Sequence, residues 1–263
     1  MKSSALLEMK NVRVKRGENQ VFSNLTMTLP SDRSSAVIGP NGSGKSTLLK
    51  LINRELYPIP DSDSELKILG QPLWHVDELR QRMGVVSHEH QSRFFADATV
   101  LQVVVSGFYS SVTTWAHQTY SLKQLVSAHA QMESMDINHL SNREIGTLST
   151  GQQRRALFAK ALVNDPEFLI LDEPTTALDI EATHKYLNIM EGLMDQGKKL
   201  VLVTHHLDEV PPQVDWIVLL KQGQVFAEGK REEIITPETL SALFELPLML
   251  EERNGYTRAL PLD

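Results

Sequence analysis

A glycine-rich run of nine residues carries the clearest chemistry in this chain of 263 residues. The run matches the pattern G-x-x-x-x-G-K-[ST], in which small residues let backbone N–H groups surround phosphate oxygens. Lys45 would place its ammonium group beside the β- and γ-phosphates, and the Ser46 hydroxyl would be a ligand of Mg²⁺. The sequence therefore predicts a phosphate loop made of Gly39, Pro40, Asn41, Gly42, Ser43, Gly44, Lys45, Ser46 and Thr47.

The elements around this loop are those that the pattern requires. Residues 34–38 are predicted to form a buried strand, and residues 45–53 a helix with periodic apolar positions. A helix that begins at the loop directs its positive end toward the bound anion. Further apolar strands at 168–171 and 199–203 flank a predicted helix at 180–196. This strand–helix–strand order predicts a buried, largely parallel sheet.

Two adjacent carboxylates follow the strand predicted at 168–171. Because the carboxyl ends of parallel strands face the ligand crevice of an open sheet, Asp172 and Glu173 are expected at that crevice. Asp172 could hold Mg²⁺, directly or through water, and Glu173 could orient or deprotonate an attacking water. The alternative is an ordinary acidic turn, which the phosphate loop upstream makes the weaker interpretation.

The segment 148–155 distinguishes between classes of phosphate-loop protein. The side chain of Ser149 can cap a helix, and Gly151 allows the backbone to approach a ligand closely. The segment resembles the LSGGQ signature of the ABC ATPase family, with Thr150 in place of the first glycine and with Gly151 and Gln152 retained.

Other segments resemble the same family in the same order. Residues 177–179 are similar to its D-loop, His205 to its strand-end histidine, and residues 97–100 to the start of its helical subdomain. The acidic pair corresponds to its Walker B motif. The resemblance extends over nearly the whole chain and implies an α/β fold. This fold has a P-loop NTPase core with a largely parallel sheet, an N-terminal antiparallel β subdomain and an inserted α-helical subdomain.

The resemblance implies ATP hydrolysis at the interface of two chains. ABC ATPase domains pair head to tail, so that each ATP lies between the phosphate loop of one chain and the signature of the other. Since this chain has one of each, a homodimer would complete two equivalent sites. Catalysis is assigned to Lys45, Glu173 and His205, and contacts with ATP beyond the phosphate loop to Arg16, Ser149, Gly151, Gln152 and Asp179. For His205, the alternative is an ordinary surface histidine.

Two positions depart from the family pattern. The residue expected to stack on adenine is usually aromatic, but here it is Arg16, whose guanidinium can also stack on a base. The alternative is a solvated turn residue. At the position where the family pattern has a glutamine for the Mg²⁺ site, this chain has His88, and Gln91 follows it in the same segment. Gln91 is preferred as the ligand because an amide oxygen suits Mg²⁺ better than an imidazole does. His88 and His90 also suggest a metal site, although no third ligand is evident.

Composition limits the function classes. The chain is 41% hydrophobic and 22% charged, as is ordinary for globular proteins, and it contains no cysteine for a disulfide or a thiolate metal site. It also lacks an apolar run of the ~18–20 residues that span a bilayer, which predicts a cytosolic protein. The net charge of −7 argues against nucleic acid as a partner.

These features together predict the ATPase subunit of a transporter. Without a membrane span of its own, the chain would lie on the inner face of the cell membrane and bind a separate permease and, indirectly, a substrate-binding protein. Residues 103–112 and 236–244 resemble importer ATPases for molybdate, iron chelates and cobalamin, which favours import of a metal, metal chelate or oxyanion. The alternative is a stand-alone cytosolic ABC ATPase in repair, translation or regulation.

The expected domain organisation follows from the same resemblance. Residues 1–230 would form the ATPase domain, with the helical subdomain inserted at about 88–165. Residues 231–263 would form a short extension packed on that domain.

Overall fold

A computed structural model describes residues 5–87, 96–111, 114 and 118–262. Its strands are β1 Ala5–Arg16, β2 Asn19–Pro30, β3 Ser35–Ile38, β4 Glu65–Ile68, β5 Met83–Ser87, β6 Phe168–Asp172, β7 Lys199–Thr204, β8 Trp216–Lys221, β9 Gln224–Lys230, β10 Leu248–Arg253 and β11 Tyr256–Pro261. Its α-helices are α1 Lys45–Ile52, α2 Val76–Arg82, α3 Val100–Val105, α4 Leu122–Ser134, α5 Thr150–Leu162, α6 Ile180–Asp195, α7 Arg231–Ile234 and α8 Pro237–Phe244. Two compact units divide the chain: a first unit of residues 1–76 and 193–263, and a second unit of residues 77–192.

The first unit begins with an antiparallel sheet in the order β2-β1-β4. Residues 5–30 alternate between apolar and polar positions on both sides of residues 16–19, which predicts a hairpin. β1 and β2 form this hairpin, and their last pair joins Arg16 to Asn19. Val12, Val14 and Phe22 are fully buried, whereas Arg16 is exposed at the turn. The hydrophobic effect on one face of the hairpin therefore sets its register and leaves the turn in solvent.

A second sheet of the first unit carries the phosphate loop. Strands β7, β3 and β8 lie parallel, and β9 runs antiparallel to β8. All four residues of β3 are buried, as are most of those in its two neighbours. Such unalternated apolar strands are typical of a sheet covered on both faces. The strand–loop–helix setting predicted around the phosphate loop is confirmed, because α1 begins directly after the loop.

The sequence of residues 231–263 predicts short helices followed by one weak strand, and the structure differs from this at the strand. After α7 and α8, strands β10 and β11 pair as an antiparallel hairpin. Its turn is Asn254-Gly255, with positive φ values of 53° and 79°, which two-residue hairpin turns require. The Arg231 guanidinium donates hydrogen bonds to the carbonyl oxygens of Pro211, at 2.9 Å, and Gly255, at 3.5 Å. These bonds attach the hairpin to the rest of the first unit.

The second unit contains a parallel strand pair and a group of helices. β5 and β6 pair in parallel from Met83 with Phe168 to Ser87 with Asp172. Helices α3, α4 and α5 pack on one another. Each of the three begins with a capping box. The side-chain hydroxyl of the cap residue accepts a hydrogen bond from the backbone N–H of a glutamine three residues later, and the side chain of that glutamine accepts one from the backbone N–H of the cap residue. The pairs are Thr99 with Gln102, Ser121 with Gln124, and Ser149 with Gln152.

Helix α2 is absent from the sequence prediction, for a physical reason. It has seven residues and buries only Leu79, so it lacks a detectable apolar period. In the parts of the chain that the structure describes, no helix is both long and apolar enough to cross a membrane.

Candidate functional site

Lys45 organises the start of the phosphate loop. Its side chain is only 7% exposed, and Nζ donates hydrogen bonds to the carbonyl oxygens of Gly39, at 2.7 Å, and Pro40, at 3.2 Å. A phosphate oxygen is a stronger partner for an ammonium group than a neutral carbonyl is. The side chain is therefore held inside the loop, ready to exchange these carbonyl partners for an anion.

Close backbone contacts explain the glycines of the loop. A Cβ atom on Gly39 would collide with the carbonyl oxygen of Leu220, and one on Gly44 would lie 2.5 Å from Cε1 of Phe22. Gly44 also has φ of 108°, which side-chain-bearing residues rarely adopt. Strand β2 and strand β8 thus press on the loop from within the first unit, and only glycine fits at these two positions.

The remaining loop residues leave a polar face open. Asn41, Gly42 and Ser46 are exposed, whereas Thr47 is buried. Ser43 Oγ is buried without a hydrogen-bond partner among the described residues. The first amides of α1 receive no hydrogen bond from a capping side chain at Gly44. An anion at this helix start would satisfy these donors, as expected for a phosphate site.

Arg16 lies at the exposed end of the β1–β2 hairpin. Its side chain is in the same unit as the phosphate loop and is accessible to a ligand. The stacking of its guanidinium on adenine stays a prediction.

His205 follows β7 at the same sheet edge as the phosphate loop. Ile38 of β3 pairs with Thr204 of β7, and Gly39 and His205 are the residues that follow this pair at the ends of the two strands. Thr204 is fully buried, and its Oγ1 accepts a hydrogen bond from the backbone N–H of His206 at 3.0 Å. The rings of His205 and His206 lie 3.9 Å apart between centroids. The strand therefore directs two neighbouring imidazoles to this edge, and His206 precedes a short helical turn at Leu207–Glu209.

The acidic pair lies at the end of β6 in the second unit. Asp172 is the last residue of the strand, and Glu173 begins a turn with φ of 47°. Both side chains are partly exposed. The turn is held from α5, because the Arg154 guanidinium donates to the carbonyl oxygens of Glu173, at 2.8 Å, Pro174, at 2.7 Å, and Thr176, at 2.9 Å. The sequence interpretation did not single out Arg154, since one arginine in a polar helix start gives no signal of burial.

The signature segment forms the start of α5. Ser149 Oγ accepts from the N–H of Gln152 at 3.3 Å, and Gln152 Oε1 accepts from the N–H of Ser149 at 3.0 Å. The expected helix cap is thereby confirmed. A Cβ atom on Gly151 would lie 3.4 Å from Ala182 Cβ, an ordinary contact. Gly151 is therefore not required by packing within the described chain.

The D-loop residue Asp179 begins the neighbouring helix. Its Oδ1 accepts a hydrogen bond from the N–H of Ala182 at 2.7 Å, which caps α6. Its neighbour Ile180 is 91% exposed. Ser149, Gly151 and Asp179 line one shallow pocket between the starts of α5 and α6. The predicted Q-loop residues His88 and Gln91 lie outside the described residues.

Comparisons with known proteins identify the family to which this chain is similar. The family model described as ABC transporter matches residues 22–176. The ABC transporter ATP-binding protein YlmA of Bacillus subtilis (strain 168), which is uncharacterised, is 31% identical and covers 98% of both chains. The ferric enterobactin transport ATP-binding protein FepC of Escherichia coli (strain K12) is 30% identical, over 94% of this chain and 90% of its own.

Solved structures show the same architecture. A transporter assigned to the metal-chelate type, solved in an inward-facing conformation, matches with a TM-score of 0.78, 26% identity and 98% coverage of both chains. The dimeric bacterial ABC transporter cassette MJ0796 matches with a TM-score of 0.70 and 26% identity, over 85% of this chain and 98% of its own.

The fold is that of a P-loop NTPase, and its motifs are those of an ATP-hydrolysing cassette. The chain belongs to the ABC transporter family, as an ATP-binding subunit. The expected fold class and ATPase activity are thereby confirmed.

Proposed function

We propose that this subunit hydrolyses ATP to power the import of a metal chelate through a separate membrane permease. The observation that carries the proposal is the full-length likeness to the metal-chelate type transporter, supported by the likeness to the ferric enterobactin ATPase. The subunit would lie at the inner face of the membrane, with a substrate-binding protein delivering the chelate to the permease. Residues 1–230 would form the ATPase domain with the helical subdomain at about 88–165, and 231–263 its extension.

The phosphate loop would bind the triphosphate of ATP. The buried Lys45, the uncapped start of α1 and the unpartnered Ser43 Oγ support this role. Ser46 and Asp172 would hold Mg²⁺, because hydroxyl and carboxylate oxygens suit this ion and the two side chains are exposed and partly exposed, respectively. Gln91, or His88 in its place, would supply a further ligand. Mg²⁺, when bound, neutralises charge on the phosphate oxygens.

Glu173 and His205 would act on the attacking water. Glu173 follows a strand end, is partly exposed, and can accept a proton from water. His205 would hold the water and the γ-phosphate in place from the edge at which Gly39 begins the phosphate loop. Arg16 would contact the adenine.

A second copy of the chain would complete each site. Ser149, Gly151, Gln152 and Asp179 would contact the ATP held by the partner in a head-to-tail homodimer. Support comes from the dimeric cassette of similar fold and from the exposed Ile180, an apolar side chain beside the D-loop. We expect no nucleic-acid partner.

The ATPase mechanism is tested with Glu173→Gln. This variant keeps the shape of the side chain and removes the carboxylate, so it should lose hydrolysis by about 100-fold or more. It should also accumulate as an ATP-bound dimer in size-exclusion chromatography. Glu167→Gln is the control, because the carboxylate of Glu167 forms a partly exposed ion pair with Arg82 at 3.0 Å and has no proposed role in hydrolysis. Equal hydrolysis by Glu173→Gln and the parent would remove Glu173 from catalysis.

The transport role is tested in the native host. Deletion of the coding sequence should abolish uptake of radioactive iron supplied as a chelate, and the parent chain should restore it while Glu173→Gln should not. A permease should co-purify with the chain from solubilised membranes. Unchanged uptake of iron chelates would overturn the substrate assignment, and absence of a membrane partner would favour a stand-alone cytosolic ATPase.

A further inference from the structure

Arg154 is the largest fully buried side chain of the described residues. It belongs to the first turns of α5, the helix that the signature segment begins, and it is 1% exposed. Its Nη1 atom donates to the carbonyl oxygens of Glu173 and Pro174, and its Nη2 atom to that of Thr176. One side chain of the signature helix therefore holds three backbone carbonyls of the turn after β6.

The turn that Arg154 holds has a costly backbone. Glu173 has φ of 47° and Ala177 has φ of 65°, values that non-glycine residues adopt only when their surroundings impose them. Inside the turn, Thr176 N donates to the carbonyl of Glu173 at a long 3.3 Å. The guanidinium bonds are shorter and charge-assisted, and such bonds are roughly twice as strong as neutral ones. Arg154 thus supplies the stronger restraint on the backbone of Glu173.

The surroundings of Arg154 strengthen this restraint. Tyr186 of α6 is 2% exposed and meets Phe158 of α5 edge to face, with ring centroids 4.5 Å apart. Burial raises the pKa of Tyr186, and the nearby Arg154 charge opposes that rise. Hydrogen bonds shielded from water in this way are stronger than exposed ones. A planar fork with several fixed donors is also required to reach three carbonyls, which a lysine cannot do.

We propose that Arg154 is a positioning residue for the catalytic glutamate, fixing the backbone of Glu173 from the signature helix of the same chain. This inference rests on the proposed role of Glu173 in hydrolysis. A shift of about 1 Å in a catalytic group can lower the rate by about 100-fold, so the orientation of this turn matters for kcat. Because these bonds of Arg154 go to the turn after β6, we expect its loss to lower kcat more than it weakens ATP binding by the phosphate loop.

The first test compares Arg154→Lys and Arg154→Gln with the parent. We expect kcat to fall about tenfold or more while the KM for ATP stays within about twofold, because only the catalytic step depends on the turn. The control is Arg231→Lys, which likewise removes guanidinium bonds to backbone carbonyls but in the C-terminal part of the first unit. Arg231→Lys should lower the melting temperature without lowering kcat.

The second test separates positioning from general damage to α5. In a mixed dimer in which one chain carries Glu173→Gln, only the intact Glu173 of the other chain works. Arg154→Lys in the chain with the intact Glu173 should lower the remaining activity about tenfold. The same change in the Glu173→Gln chain should lower it less than about twofold, because that Arg154 positions an inert residue.

Equal loss from either chain would overturn the proposal. A larger loss from the Glu173→Gln chain would also overturn it, and would indicate a defect of the signature helix, which acts on the ATP held by the other chain. Unchanged kcat in the homodimeric Arg154 variants would overturn it as well. Failure of the underlying function is visible separately, because it would appear as full activity of Glu173→Gln in an otherwise unaltered chain.

Discussion

The phosphate loop and the signature segment both place small polar residues at the start of a helix, but their helices begin in opposite ways. Helix α1 begins at Gly44 with φ of 108° and no capping side chain. Helix α5 begins at Ser149 with a complete capping box. The first amide N–H groups of α1 are left for an incoming anion, whereas in α5 the side chain of Ser149 accepts from one of the corresponding N–H groups.

The glycines of the phosphate loop and of the signature segment differ in how closely their own chain packs against them. A side chain on Gly39 would collide with Leu220, whereas a side chain on Gly151 would meet only an ordinary contact with Ala182. The phosphate loop is therefore shaped by its own chain before any ligand arrives. The signature segment caps its own helix and keeps a glycine that its own packing does not need, as expected for a surface that acts on a second chain.

The largest effect is expected from Gly39→Ala. The added Cβ collides with a backbone carbonyl, so the loop must shift and lose hydrogen bonds to phosphate. Two lost charge-assisted bonds correspond to about 3 kcal/mol, which lowers the affinity for ATP about 100-fold. Titration with a fluorescent ATP analogue measures this. In the monomeric chain, Gly151→Ala should leave this affinity unchanged, because Gly151 would contact only the ATP held by a partner chain. Equal affinities of all three proteins would contradict the idea of a loop shaped by close packing.

A smaller effect is expected from Ser149→Ala, with Ser121→Ala as its matched control. Both serines are exposed cap residues of capping boxes, so each change should cost about 1 kcal/mol of stability in denaturant unfolding. Only Ser149→Ala should also lower kcat, by about tenfold or more, because only its hydroxyl would bind the γ-phosphate. If the two variants hydrolyse ATP equally, Ser149 is a helix cap and nothing more.

The next effect concerns Lys160 of α5, whose Nζ donates to the carbonyl of Ser111 at 2.6 Å. Burial lowers the pKa of Lys160 from 10.5 to about 8. Between these values the unfolded chain binds the proton and the folded chain does not, so the contribution of Lys160 to stability rises with pH. Lys160→Met should therefore raise the melting temperature relative to the parent more at pH 7 than at pH 9. A difference independent of pH would show that Lys160 does not titrate in this range.

The smallest effect is expected from Gly192→Ala in α6. An added Cβ meets nothing within 4 Å at this position, and alanine costs less entropy than glycine inside a helix. The change should stabilise the chain by about 0.5–1 kcal/mol in denaturant unfolding, with no change in ATP affinity. Destabilisation would show that Gly192 is constrained although no atom lies near its Cβ position. Such distances could then not be used to separate the constrained Gly39 from the unconstrained Gly151.

The sequence predicts those parts of the molecule in which local pattern and local structure coincide. The β1–β2 hairpin, the strand before Gly39, the helix after it and the cap at Ser149 each follow from a run of adjacent residues. Helix α2 and the second strand of the C-terminal hairpin escape prediction. The first is too short for an apolar period, and the sequence pattern of the second predicts one weak strand although it contains the Asn254-Gly255 turn.

The class of chemistry follows from the sequence, because phosphate binding needs a short, contiguous pattern of glycines, a lysine and a hydroxyl residue. The residues that hold this pattern in place become visible in the packing of the fold. The contact of Gly39 with Leu220 and the bonds from Arg154 to the turn at Glu173 join residues far apart in the chain. No periodicity or spacing in the sequence encodes such contacts, because they arise when separate elements pack against one another.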